Sequence, residues 1–150
     1  MVLKRVIGCL TLAAALVACS SVPRAEREAQ RRADYEAAAG PGQRSFRFFG
    51  NLWSWEPLGK DLLAVYTRPN EAWLLTVGGC IDLEYTNAIG LTSSFGQVSV
   101  GFDKVLTGRR DFPCFITGIR PVDVKRLKAA QTERRKIEEQ PRDAAPAAGK

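Results

Sequence analysis

The sequence contains no histidine and a single methionine in 150 residues. The missing imidazole removes the commonest general base, the usual catalytic triads and most zinc sites. Cysteine is scarce as well, limited to Cys9, Cys19, Cys80 and Cys114. Neither Cys80 nor Cys114 has a neighbouring base in the sequence that would turn its thiol into a nucleophile. Long apolar runs are also missing: the longest, Val6–Ala18, rises only about 20 Å as a helix, whereas a bilayer core needs roughly 20 apolar residues. These absences point to a protein that is not an enzyme and carries no metal or cofactor.

What is present first is an address. Lys4 and Arg5 precede the apolar run, which closes on Leu16-Val17-Ala18-Cys19-Ser20. A basic start, a short apolar centre and a small residue before the cut make a secretory signal, and the cysteine directly after that residue has the form of a lipobox. Residues 1–18 therefore read as a leader and Cys19 as a lipid-bearing first residue of the mature chain. Two or three acyl chains, at about 0.8 kcal/mol per buried methylene, hold stably where one is marginal. Ser20, rather than an aspartate, favours the outer membrane, with the rest of the chain facing the periplasm of a bacterial envelope.

Charge divides the mature chain. The formal net charge of +6 falls to +4 once Lys4 and Arg5 are removed, and residues 19–42 and 43–123 are each neutral. The excess lies in residues 124–150, where Lys125, Arg126, Lys128, Arg134, Arg135 and Lys136 cluster. A basic tail on a neutral envelope domain argues against nucleic acid and for anionic lipid or polymer.

Residues 24–39 predict a helix, with Pro23 at its start and Gly40-Pro41-Gly42 as its stop. Tyr35 is its only large apolar side chain, so residues 19–42 are expected to form a lipidated N-terminus and a solvated helical spacer about 24 Å long. Residues 43–123 show period-two alternation and turn glycines. Strands are expected at Ser45–Phe49, Leu52–Glu56, Leu62–Tyr66, Trp73–Val77, Ile81–Tyr85, Val98–Phe102 and Phe112–Ile119, with a hairpin turn at Arg68–Glu71. The fold class is mainly β: a small antiparallel β-barrel or rolled sheet. Residues 124–150 read as a helical tail, Val124 and Leu127 resting on the barrel, that becomes disordered over Pro141–Lys150.

Candidate ligand-binding residues are Trp53 and Trp55, two apart on one strand face, with Arg44 and Arg47 nearby. Their rings suit the sugar faces of peptidoglycan or lipopolysaccharide, and arginine suits an anionic group; core packing is the commoner use of such rings. Asp82 and Glu84 share a side if Ile81–Tyr85 is a strand, a spacing more typical of a solvated face than of acid–base chemistry or a hard cation. Gly108-Arg109-Arg110-Asp111 puts two guanidinium groups in a loop. Cys9 leaves with the leader and Cys19 is consumed by lipid, so Cys80 and Cys114 remain as an even pair in an oxidising compartment and should form a disulfide.

Trp55-Glu56-Pro57-Leu58, Asp61-Leu62-Leu63, Trp73-Leu74-Leu75, Gly79-Cys80 with Leu83, and Cys114-Phe115-Ile116 with Ile119-Arg120-Pro121-Val122 follow one another in a moderately specific order, and none is a catalytic signature. On these residues Phe46–Val122, about half the chain, resembles an uncharacterised family of short proteobacterial lipoproteins, the domain-of-unknown-function family 6491. Many of its members have a further cysteine near the domain start, where this chain reads Arg44-Ser45-Phe46-Arg47. The resemblance implies a lipoprotein with one domain and brings no activity. The expected role is a non-catalytic accessory bound to membrane lipid and to an envelope protein, with a glycan as the alternative partner. Replacing Cys19 with alanine should abolish incorporation of a palmitate analogue; continued labelling of Cys19→Ala would exclude the lipid anchor.

Overall fold

The computed structural model describes residues 22–108 and 113–139. The chain runs α1 (Arg24–Ala38), β1 (Ser45–Arg47), β2 (Ser54–Pro57), β3 (Leu62–Arg68), β4 (Glu71–Gly78), a 3-10 turn (Leu83–Tyr85), β5 (Gly90–Leu91), β6 (Gln97–Ser99), β7 (Lys104–Leu106), β8 (Cys114–Val122) and α2 (Val124–Glu139). Six strands form one antiparallel sheet in the order β2-β3-β4-β8-β7-β5, while β1 and β6 pair as a separate ribbon. The sheet curls into a half-barrel, so the fold is mainly β with one helix at each end of the chain.

The central strands are covered on both faces. Along β3, Leu63 and Val65 face the β1–β6 ribbon, whereas Leu62 and Ala64 face the helices. β4 repeats the division, with Leu75 and Val77 toward the ribbon and Ala72 and Leu74 toward the helices. Period-two geometry turns this alternation into two cores on opposite sides of one sheet. On the ribbon side Phe46 stacks on Trp73 with ring centroids 4.8 Å apart. On the helix side Tyr35, Ala38, Val124 and Leu127 close over Leu74.

β8 keeps its partners by a bulge. The register slips between Thr76 and Val77, which face Gly118 and Ile116. Thr117 is thus the extra residue, and Ile116 and Ile119 enter the same core although they stand three apart. Without that insertion the parity would reverse and Ile119 would turn outward. Gly118 fits because a Cβ there would lie 3.1 Å from the Thr76 hydroxyl and 3.2 Å from its Cβ.

α1 is not the solvated spacer that its composition suggests. Tyr35 is only 2% exposed and Ala38 is buried beside it, so a short apolar patch rather than a long stripe docks the helix. Its last carbonyls are held by Arg120 of β8, whose guanidinium donates to the oxygens of Gly40 (2.9 Å), Ala39 (3.2 Å) and Glu36 (3.4 Å). A cation at the negative end of the helix dipole is favourable. Beyond the helix, Gly40 and Gln43 donate to the Pro121 and Ile119 carbonyls at 2.8 Å each, covering the part of β8 that β7 does not reach. Asp123 starts α2 by accepting the Arg126 N–H at 3.0 Å, an N-cap bond typically worth about 1 kcal/mol.

The expected strand at Ile81–Tyr85 is instead a turn that ends in the 3-10 helix Leu83–Tyr85. Leu83 is buried among the ribbon-side core while Ile81 and Tyr85 stay exposed, a pattern in which one anchor residue replaces strand alternation. β5 and β7 arise where no strand was expected. Cys80 and Cys114 form a disulfide with Cα atoms 4.8 Å apart, across 34 residues of sequence. Cys9, Cys19, the leader, the Arg109–Asp111 loop and Pro141–Lys150 lie outside the described residues.

Reducing the disulfide should cost roughly 4 kcal/mol on the chain-entropy account, a large share of the 5–15 kcal/mol that typically holds a domain together. Thermal unfolding with and without reductant checks this, and an unchanged midpoint would contradict it. Leu74→Ala, which empties a site between sheet and helices, should cost about 2–5 kcal/mol.

Candidate functional site

Among the described residues the half-barrel leaves the outer edges of β2 and β5 unpaired, and both strands line the same cleft. β2 contributes Ser54 and Trp55, β5 contributes Gly90 and Leu91, and the segment that joins β1 to β2 contributes Phe48, Asn51, Leu52 and Trp53, around a volume of about 470 Å³. The cleft is therefore the seam where the barrel does not close. Its lining mixes polar and apolar surface: the Asn51 amide, the Ser54 hydroxyl and the edge backbone stand among Phe48, Leu52, Trp55, Ile89 and Leu91. A volume of about 300–1,000 Å³ is the usual size of a small-ligand site.

The two tryptophans have different jobs. Trp55 pairs with Val65 across β2 and β3 and packs against the ribbon-side core. Trp53 precedes β2; its backbone donates to the Tyr66 carbonyl at 2.7 Å, yet its ring is 67% exposed. Core packing thus accounts for Trp55 and not for Trp53. Phe49 is exposed on the same segment. Phe95 is fully exposed at the tip of a two-residue turn closed by reciprocal Ser94–Gln97 hydrogen bonds of 2.9 and 3.0 Å.

Phe95 has φ +53° and Gly96 φ +71°. A two-residue hairpin with both central φ values positive favours Asn-Gly, and a bulky aromatic at its first position is strained. A Cβ on Gly96 would stand 3.9 Å from the Phe49 ring, so Phe49 lies against this turn. Three large rings, Trp53, Phe49 and Phe95, are consequently held out to solvent with little burial in return. Exposed large rings such as Phe49 beside the Phe95 turn, and Trp53 on the cleft, are surface of the kind that marks interaction sites.

Arg44 and Arg47, expected to assist the tryptophans, lie exposed at and before β1 and do not line the cleft. Asp82 and Glu84 do not form a two-carboxylate strand face, because the 3-10 turn separates them: Asp82 is half-buried and Glu84 exposed. Among the described residues no group of three cysteine, aspartate or glutamate side chains could hold a metal ion.

The family model of the family of unknown function DUF6491 matches residues 2–138. The chain belongs to this family. No curated protein and no solved structure matches the chain significantly. The residues that carry the likeness mostly have structural work to do: Trp55 and Trp73 fill the ribbon-side core, Leu74 fills the other, Cys80 and Cys114 form the bridge, and Arg120 holds the end of α1. Trp53, Phe49 and Phe95 lie outside those motifs.

A polar cluster on the helix side escaped the sequence analysis. The Tyr35 hydroxyl donates to Glu56 Oε2 at 2.7 Å and lies 2.9 Å from the Tyr66 hydroxyl, while Arg31 pairs with Glu56 at 2.9 Å. Arg32 reaches Asp61 at 2.7 and 3.3 Å and the Leu58 carbonyl at 3.3 Å, and this arginine holds the Asp61 carboxyl below its ordinary range. The only hint in the sequence was Tyr35 as the single large ring on α1. Burial, then the Tyr66 and Glu56 contacts, push the Tyr35 phenol well above its ordinary value of 10.0. At neutral pH it is a fixed donor that ties α1 to β2.

The sign of the linkage follows from that raised value. The stabilisation is fully present below the ordinary tyrosine pKa of 10.0 and is lost as pH rises, because the unfolded chain ionises first. Wild-type protein should lose stability above about pH 10 more steeply than Tyr35→Phe does. Equal alkaline slopes in chemical unfolding would contradict the network.

Proposed function

We propose that the protein is a lipid-anchored accessory of the bacterial envelope, tethered through Cys19 to the outer membrane and facing the periplasm, where it binds a partner protein without catalysing a reaction. The observation that carries this reading is the meeting of both free sheet edges and an exposed tryptophan in one cleft. Unpaired edge N–H and C=O groups are templates for a further strand, which most proteins cover or blunt. An extended partner segment that adds to β2 or β5 gains main-chain hydrogen bonds from the edge and side-chain pockets from Leu52, Ile89 and Leu91. Trp53 at the rim supplies a large aromatic contact of the kind that dominates such interfaces.

One observation favours a second reading. Trp53 stands exposed beside Asn51 and Ser54, a ring next to hydrogen-bonding groups, which is how a sugar face is held. On that reading the protein is a carbohydrate-binding module for peptidoglycan or lipopolysaccharide.

A photo-crosslinking residue placed at Asn51 in whole envelopes should give one discrete protein adduct. In the same background Trp53→Ala should reduce that adduct at least tenfold, while its stability changes by less than about 0.5 kcal/mol, as for other exposed positions. A tryptophan-fluorescence shift on titration with muropeptides, without a protein adduct, would replace the first reading by the second.

A further inference from the structure

α1 and α2 pack side by side, and the groove between them, about 370 Å³, is lined by Arg27, Arg31, Arg134 and Arg135 against Glu26 and Asp34, with Val22 at its rim. Much of this charge is already used. Asp34 is buried and paired with Arg134, and Arg31 pairs with Glu56. Arg27 and Arg135, both exposed, have no ion-pair partner among the described residues. Of the two acids that line the groove, Glu26 is the one left to oppose them. Val22 and Ile137, the latter one turn beyond Arg134 on α2, are apolar and exposed at the same end of the helix pair.

The chain that precedes the described residues fixes what this end can meet. The apolar run closes at Ala18, Cys19 follows, and only Ser20–Pro23 separate Cys19 from the first residue of α1. Because α1 is docked on the sheet it adds no spacing. A five-step link spans at most about 18 Å and on average about 12 Å. About 5–7 Å of that is headgroup layer, so the start of α1 stands within about one Debye length, 8–10 Å, of the lipid surface.

We propose that the α1–α2 groove is the membrane-docking face of the protein, with Arg27 and Arg135 binding the phosphates of anionic phospholipid headgroups while Val22 and Ile137 enter the interface. The inference rests on the membrane-tethered reading for the source of the lipid. Docking in this way fixes the orientation of the domain. Arg24 shares a neighbouring cleft with Pro57–Gly59, at the far end of β2 from Trp53, so the aromatic seam opens away from the groove along that strand.

The test uses the chain from Ser20 onward, which keeps every described contact, with vesicles of phosphatidylglycerol and phosphatidylcholine. Binding to anionic vesicles in low salt, release in high salt and no binding to pure phosphatidylcholine are expected. Each basic residue near such a surface is worth about fivefold in partition, so Arg27→Gln with Arg135→Gln should weaken binding about 25-fold. Lys125→Gln with Arg126→Gln, at the opposite end of α2, should weaken it far less. Equal loss in the two double variants would mean diffuse attraction and overturn the docking face, as would wild-type binding by the Arg27/Arg135 variant or equal binding to neutral vesicles. If Cys19 takes no lipid label but the groove variant still loses vesicle binding, the docking face stands and the anchor fails.

Discussion

The fold depends on one constraint: β3, β4 and β8 must be covered on both faces. Leu63 and Leu75 are fully inaccessible on the ribbon side and Ala64 on the helix side, and at about 25 cal/mol per Å² of apolar surface neither face can be left wet. The six-stranded sheet curls only into a half-barrel and does not bury one face by closing on itself. The chain therefore recruits α1 and α2 for one face and the β1–β6 ribbon with Leu83 for the other. The disulfide then ties the top of β8 to the segment that leaves β4, which fixes the neighbouring central strands against each other.

That solution explains what was legible in the sequence. The β3–β4 hairpin declares itself through alternation and the Arg68–Glu71 turn, and the cysteine pair declares itself by elimination. α1 did not, because its apolar burial rests on Tyr35 and Ala38, and the partners that make those residues worth burying come from Glu56, Tyr66 and Arg120, far along the chain. β5 and β7 are two and three residues long. They are set by the buried Asp103, which accepts hydrogen bonds from Thr92 Oγ1 at 2.8 Å and the Ser99 amide at 2.7 Å, a tertiary arrangement that no local period encodes. The Asp82/Glu84 pairing failed for the converse reason: Leu83 is an apolar anchor in a turn, and one buried residue flanked by acids mimics strand alternation.

The candidate site shows the same division. Two tryptophans spaced by one residue suggest a shared face, but β2 begins at Ser54, so Trp53 is free of the alternation that governs Trp55. Phe95 carried no signal that could be separated from a core phenylalanine, since its exposure follows from a turn whose geometry disfavours its side chain. Local and global preferences conflict at Phe95, a bulky side chain held at φ +53°. Such conflict is expected where function, rather than stability, chose the residue.

An incomplete barrel also separates the chemistry spatially. Charge is concentrated on the helix face, where most of it is consumed in pairs such as Arg32–Asp61 and Arg31–Glu56, whereas the residues that line the seam carry no charged side chain and offer Asn51, Ser54 and the edge backbone as hydrogen-bonding groups. The two faces therefore suit different partners. A helix face with unpaired arginines attracts a surface of opposite charge from a distance and is weakened by salt, while an aromatic seam needs contact and discriminates by shape. Because both are built on the same rigid sheet, seating the helix face on one surface would fix where the seam points.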